Sequence, residues 1–153
     1  ILGEGRMKKD FEKIILKKNL TNFHFLGQQP IETMAVYFSY ADCMLVTLKK
    51  DPVFTLTVPG KVQAYMSCGK PIIAALDGEG KTLIEKANCG LTANADDKEQ
   101  LAAAVLKMYQ LSSKEREQLG RNGLSYANRC FNRNRLIGRL EDIFGSISST
   151  WDD

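Results

Sequence analysis

Histidine is almost missing from this sequence: His24 is the only one among 153 residues. The four cysteines, Cys43, Cys68, Cys89 and Cys130, lie far apart and form no C-x-x-C pair. A structural zinc ion takes four closely spaced His or Cys ligands, so the ligand supply argues against a zinc site. The cysteines read instead as reduced, mostly buried thiols of a cytoplasmic protein. No apolar run approaches the ~18 residues of a membrane span. No signal-peptide pattern opens the chain, and no repeat or low-complexity segment interrupts it. The excess of one sign of charge is small as well. The net charge of +3 suits an anionic ligand or an acidic membrane surface, but it is too small to indicate nucleic acid.

What is present is the composition of a packed domain, 44% hydrophobic and 25% charged. Short apolar runs alternate with helical patterns. "ILG" (1–3) reads as the end of a strand running into a Gly3-Glu4-Gly5 turn. A basic amphipathic helix follows from Arg6 to Leu20, with Phe11, Ile14 and Ile15 on one face. "FHFLG" (23–27) reads as a strand, and 31–41 as a helix entered through Pro30. "CMLVTL" (43–48) is a continuous apolar run suited to a strand covered on both sides, and a loop leads from it to residue 58. "PIIAAL" (71–76) and "CGLTAN" (89–94) are further strands, with a helix between them carrying Leu83, Ile84 and Ala87. A strong helix follows, capped by Asp96 or Asp97. A serine-capped helix comes next, and a last one runs from about Asn132 to Phe144. The pattern predicts a doubly wound parallel α/β sheet, one domain over 1–145, and a frayed tail at 146–153 that includes Trp151. Because "ILGEG" reads as a strand end with nothing before it, the chain is expected to be cut from a longer protein.

In such sheets the ligand lies outside the carboxyl ends of the strands, where loops feed helix N-termini. The stretch "TVPGKVQAYMSCGKPIIAAL" (57–76) supplies such a place. Pro59 suits a first helical turn because no amide hydrogen is needed there. Gly60 lets a ligand approach the backbone. The free amides of a helix start favour a phosphate by about 0.3–1 kcal/mol. Lys61 adds a charge-assisted hydrogen bond of roughly 1.5–3 kcal/mol, and Thr57 offers a hydroxyl donor. A diphosphate fits this set; a plain helix start fits it too. At the far end Gly69 suits a left-handed position and Pro71 stops the helix, which leaves Lys70 as a solvated side chain.

The ordered set "GEG…FHFLGQQP…ADCMLVTL…VPGKVQAYMSCGKPIIAALDGEGKTLIEKANCGLTANADDKEQLAAAV" resembles the C-terminal, donor-binding domain of family 4 (group 1) glycosyltransferases. The likeness is to bacterial surface-polysaccharide enzymes of the aminosugar-transferring kind. It covers Ile1 to about Phe144. The resemblance implies the Rossmann-like half of a GT-B fold, apparently without its first strand–helix unit. Gly27, Gln28 and Gln29 match the segment that holds the nucleotide base. Thr57, Val58, Pro59, Gly60 and Lys61 match the loop and helix start that hold the donor diphosphate, and Gly3, Glu4 and Gly5 match a turn facing the cleft. Many members carry two glutamates separated by seven residues; Leu56 and Ala64 stand at those places and accept no hydrogen bond through their side chains. Gln63 lies beside Ala64, but adjacent helical residues point about 100° apart.

The resemblance further implies an enzyme that moves a sugar from a nucleotide diphosphate, uridine-linked, to a saccharide or lipid-linked acceptor with retention. No cofactor and no obligate metal would take part. The partners implied are the nucleotide-sugar donor and an N-terminal acceptor-binding domain missing from this chain, so the piece alone would bind without transferring. Its catalytic base would come mostly from the missing half. The localisation implied is cytoplasmic, with peripheral contact at the inner face of a bacterial membrane and no nucleic acid partner. Without the family's usual first strand, "ILG" and "CMLVTL" would face an empty slot. Two alternatives stay open: a nucleotide-sugar 2-epimerase-like enzyme on the same scaffold, and a binding-only subunit of a two-chain transferase. A signalling receiver domain is disfavoured, since Asp42 precedes its strand rather than ending it. His24 reads as a packed or edge histidine of its strand, Lys8 to Lys18 as a solvated face, and Tyr65 and Met66 as core.

Overall fold

The computed structural model describes residues 1–148. The chain divides into two compact units, with the division inside helix α2 (Met34–Tyr40) after Tyr37.

The first unit, residues 1–37, holds α1 (Lys8–Lys17) and a 3-10 turn at Ile31–Thr33 that leads into α2. The expected strands 1–3 and 23–27 are extended and paired, but not as a regular ladder. The Ile1 amino group donates to the His24 carbonyl at 2.6 Å, Leu26 N–H to Ile1 O at 2.9 Å, and Gly3 N–H to Gly27 O at 2.7 Å. Positive φ at Gly3 (108°) and Gly27 (67°) bends both segments and stops the ladder. Helix α1 forms as predicted, yet it buries nothing: Phe11 is 54% exposed, and Ile14 is exposed beside it. A unit of this length has too little chain to enclose a core; every fully buried side chain belongs to the second unit.

That second unit is a three-stranded parallel sheet with helices on both faces. Its strands are β1 (Met44–Thr47), β2 (Ile72–Ala75) and β3 (Gly90–Ala93), in spatial order β1-β2-β3. Met44 pairs with Ile72, and Ile72 with Gly90. Between the strands run α3 (Pro52–Thr55), α4 (Gly60–Ser67) and α5 (Glu79–Ala87). After β3 come α6 (Lys98–Gln110), α7 (Ser113–Cys130) and α8 (Arg133–Ser148). One sheet face packs Val46, Ile72, Ala74 and Leu76 against Val62 and Met66 of α4, Leu83 and Ile84 of α5, and Ala127 of α7. The other packs Ile73 against Ala104 and Met108 of α6. The doubly wound arrangement follows from the βαβ pattern.

Strand β2 is buried along its whole length because it is central. Strand β1 is not covered on both sides, as its apolar run suggests. It is an edge strand whose burial alternates, with Val46 buried and Leu45 54% exposed. The Leu45 and Thr47 amides donate to no acceptor among the described residues.

Local signals explain most element ends. The segment after β1 is not a bare loop: Asp51 accepts a hydrogen bond from Val53 N–H at 2.8 Å, Pro52 sits in the first turn, and α3 forms. Pro59 lies just outside α4, in the capping position, with Gly60 first in the helix. Gly69 takes the expected left-handed φ of 65°; Lys70 N–H returns to Tyr65 O and Gly69 N–H to Met66 O, which closes the helix end. Lys70 is not merely solvated, because its ammonium donates to the Ser39 carbonyl at 2.7 Å, in the last turn of α2. Asp97, not Asp96, caps α6 through Gln100 N–H. Ser112 and Glu115 form a reciprocal capping box on α7. Helix α8 continues past Phe144 to Ser148, and the rest of the expected tail, Trp151 included, lies outside the described residues. All four cysteines are free: Cys89 is buried, Cys43 and Cys130 half-buried, and Cys68 exposed, which corrects its reading as buried. No helix among the described residues is long and apolar enough to cross a membrane.

Candidate functional site

The sequence-predicted site residues fall into two groups, one in each unit. In the first unit, Gly3, Glu4 and Gly5 and the Gly27-Gln28-Gln29 turn come together. Gly3 N–H bonds to Gly27 O, and a Cβ on Gly27 would lie 3.6 Å from Glu4 Oε1. Glu4 also pairs with Lys8 at 2.7 Å, and Gln29 folds its amide back onto Leu26 O at 2.6 Å. Both glycine turns are therefore held in place by short-range bonds.

In the second unit, Thr57, Val58, Pro59, Gly60 and Lys61 connect α3 to α4. Because α4 returns antiparallel to the strands it joins, its N-terminus stands at the carboxyl edge of the sheet. Val58 packs against the core and anchors the segment. Gly60 and Lys61 are exposed, and a Cβ on Gly60 would meet nothing within 4 Å. Their backbone amides bond to no acceptor among the described residues, and the Lys61 side chain makes no hydrogen bond or ion pair there. Two unsatisfied amides, a helix dipole and an ammonium thus meet at one open place, which is the electrostatic description of an anion site. The Thr57 hydroxyl instead donates to Phe54 O at 3.2 Å. Gln63 is half-buried, with its carbonyl accepting the Ser67 hydroxyl. Leu56 is 80% exposed and Ala64 is exposed, so the two places where many members carry glutamates are apolar and surface-facing.

A hollow of about 270 Å³ lies at the same edge, on the α6 side, lined by Thr47, Lys49, Ala75, Asp96 and Lys98 among others. It does not include residues 57–63. A phosphate is held by donors and charge rather than by apolar enclosure, and the donors stand at the start of α4 rather than in this hollow. Among the described residues no cluster of three or more His, Cys, Asp or Glu side chains is placed to hold a metal ion.

Sequence reasoning missed two features near this segment. Asp96 takes a left-handed φ of 61° and accepts from Lys50 N–H at 2.9 Å. Gly78 and Gly80 lie directly against Thr55 and Pro59. The signals were available: a second acid beside a capping acid, and two glycines flanking Glu79.

The chain is similar to known proteins in sequence and in fold. A family model described as "Glycosyl transferases group 1" matches residues 1–111. An uncharacterized glycosyltransferase of Methanocaldococcus jannaschii is 24% identical over 97% of this chain and 40% of its own length. The chain thus spans about two-fifths of that curated relative. Among solved structures, sucrose-phosphate synthase from Thermosynechococcus elongatus superposes with a TM-score of 0.71 at 23% identity, over 95% of this chain and 35% of the other. Anabaena HepE in complex with UDP gives 0.75 at 18% identity, over 95% and 40%. The parallel sheet with helices on both faces is accordingly a Rossmann-like half of the GT-B fold. With the family model covering most of its length, this chain belongs to the group 1 glycosyltransferases.

Proposed function

We propose that this chain is the donor-binding part of a retaining glycosyltransferase of family 4, of the bacterial surface-polysaccharide, aminosugar-transferring type. Its ligand is a nucleoside diphosphate sugar, with uridine as the nucleoside. The observation that carries this reading is the open start of α4, where the amides of Gly60 and Lys61 and the Lys61 ammonium stand unpartnered in a member of this family. The UDP held by the structurally similar HepE supports the choice of nucleotide.

In the proposed reaction the bond between the anomeric carbon and the diphosphate oxygen breaks, and negative charge grows on the leaving phosphate. Helix amides and Lys61 are worth most where that charge is largest, so they favour the transition state over the bound donor. The reaction needs no cofactor and no obligate metal. The acceptor, a saccharide or a lipid-linked one, is bound by a further domain, and the whole enzyme works in the cytoplasm at the inner membrane face. The test is calorimetric titration of this chain with UDP, GDP and ADP. Saturable binding with UDP tightest supports the reading; unsaturable heats for all three nucleotides overturn it.

A further inference from the structure

The segment that leads to Gly60 is not free to choose its position, because the exit loops of the three strands form a closed ring. The β1 exit loop reaches the β3 exit loop through Lys50 N–H, which donates to Asp96 Oδ2 at 2.9 Å. The β3 exit loop reaches the β2 exit loop and the start of α5. Ala95 N–H donates to Asp77 Oδ1 at 3.1 Å, and Lys81 Nζ of α5 donates to Asn94 Oδ1 at 2.6 Å. The β2 exit loop and the first turn of α5 return to the β1 exit loop by close approach. A Cβ on Gly78 would lie 2.0 Å from the Thr55 backbone O, and one on Gly80 would lie 3.0 Å from the ring atom Pro59 Cδ and 3.0 Å from Leu76 Cδ1. The β1 exit loop is therefore fixed at residues 50, 55 and 59, the last one position before the exposed amides.

Two of these contacts hold unusual backbone. Asp96 is one of three non-glycine residues with positive φ among the described residues, and its carboxylate is exposed rather than part of the core. Such a conformation is unfavourable for a residue with a side chain, and it persists only where the surroundings fix it. The bond to Lys50 is what its side chain makes from that position. Gly78, with φ 74° and ψ −142°, occupies a region that essentially only glycine enters.

We propose that Asp96, Gly78 and Gly80 are positioning residues for the donor diphosphate: they touch no ligand themselves and set where the Gly60 and Lys61 amides stand. This inference rests on the donor-binding reading above.

The experiment uses the 153-residue chain and the variants Asp96→Gly, Asp96→Asn and Gly80→Ala. UDP affinity is measured by calorimetry, and the ligand-free amide resonances of Gly60 and Lys61 by NMR. Asp96→Gly removes the carboxylate but relaxes the left-handed backbone, so its melting temperature stays level or rises. Its UDP affinity is nevertheless expected to fall about three- to tenfold, the loss of one hydrogen-bonded tether, with the Gly60 and Lys61 resonances displaced. Asp96→Asn keeps a side-chain oxygen for Lys50 N–H and tolerates positive φ, so it binds as the parent does. Gly80→Ala pushes on the Pro59 ring and equally on the buried Leu76 side chain, so its melting temperature is read beside its UDP affinity, which is expected to fall by a similar factor. Folded Asp96→Gly and Gly80→Ala chains with parental affinity and unmoved resonances would overturn the ring. If the parent chain binds no UDP, the donor reading falls, and the resonances alone decide the ring: displacement supports it and constancy refutes it.

Discussion

Lys61 carries the side-chain charge of the proposed site. Its ammonium is exposed and has no partner among the described residues, so Lys61→Ala removes attraction for a phosphate without leaving any protein group unsatisfied. The expected outcome is UDP binding weakened by about tenfold, the lower end of a charge-assisted hydrogen bond, with an unchanged melting temperature; calorimetry and thermal unfolding check the two halves. The thiols separate at the same scale. Burial pushes Cys89 up to about 11, and its Sγ lies 3.7 Å from Ile84 O. Cys68 is exposed in the last turn before Gly69. Since the thiolate is the nucleophile, an alkylating reagent near pH 8 should label Cys68 first and reach Cys89 only on unfolding, as peptide mass mapping would show. Residue identity marked the Gly60-Lys61 pair as a candidate, although the same residues also suit a plain helix start. It did not give Asp96, whose importance lies in a contact 46 residues away that no local pattern encodes.

At the scale of elements, α7 carries two predictions. Its start is the Ser112–Glu115 capping box, in which hydrogen bonds from the Ser112 hydroxyl and backbone N–H hold the Glu115 carboxyl below its ordinary range. A depressed folded value means the stabilisation is present above the unfolded carboxylate pKa and is lost as pH falls through the folded one. Acid should therefore fray this end of α7. Glu115→Gln keeps an acceptor for Ser112 N–H without titrating, so comparing amide exchange in parent and variant from pH 7 to 3 isolates the effect: the parent loses protection in acid and the variant does not. Ser112→Ala should cost about 1 kcal/mol at neutral pH and less in acid, where Glu115 is protonated and the hydroxyl bond to its carboxylate is already weakened, read from denaturant midpoints. The middle of α7 rests on the turn after α4, where a Cβ on Gly120 would lie 2.1 Å from Gly69 O. Gly120→Ala should destabilise by roughly 1–3 kcal/mol through forced backbone movement. The helices were legible from periodicity and caps, and α3 could have been read from Asp51-Pro52. The strand-like segments of the first unit were legible only as apolar runs. Their glycines at positive φ break the ladder, which a pattern of side chains does not reveal.

For the whole molecule, the alternation of strands and helices gave the parallel order and the covered β2 because burial on both faces demands continuous apolar sequence. It overstated β1, since an edge strand and a central strand can carry the same apolar run and differ only in their neighbours. The candidate segment, 57–61, could be named from the sequence, but the loops that surround it could not. The ring of exit loops depends on turns 46, 23 and 21 residues apart meeting at one sheet edge, by the numbering of Lys50 with Asp96, Thr55 with Gly78, and Pro59 with Gly80. The account stands most directly on where a nucleotide binds. Titrating an isotopically labelled 153-residue chain with UDP, followed through its amide resonances, should give saturable shifts concentrated at Thr57, Gly60 and Lys61. Shifts that do not saturate, or that gather elsewhere while Gly60 and Lys61 stay still, would contradict it.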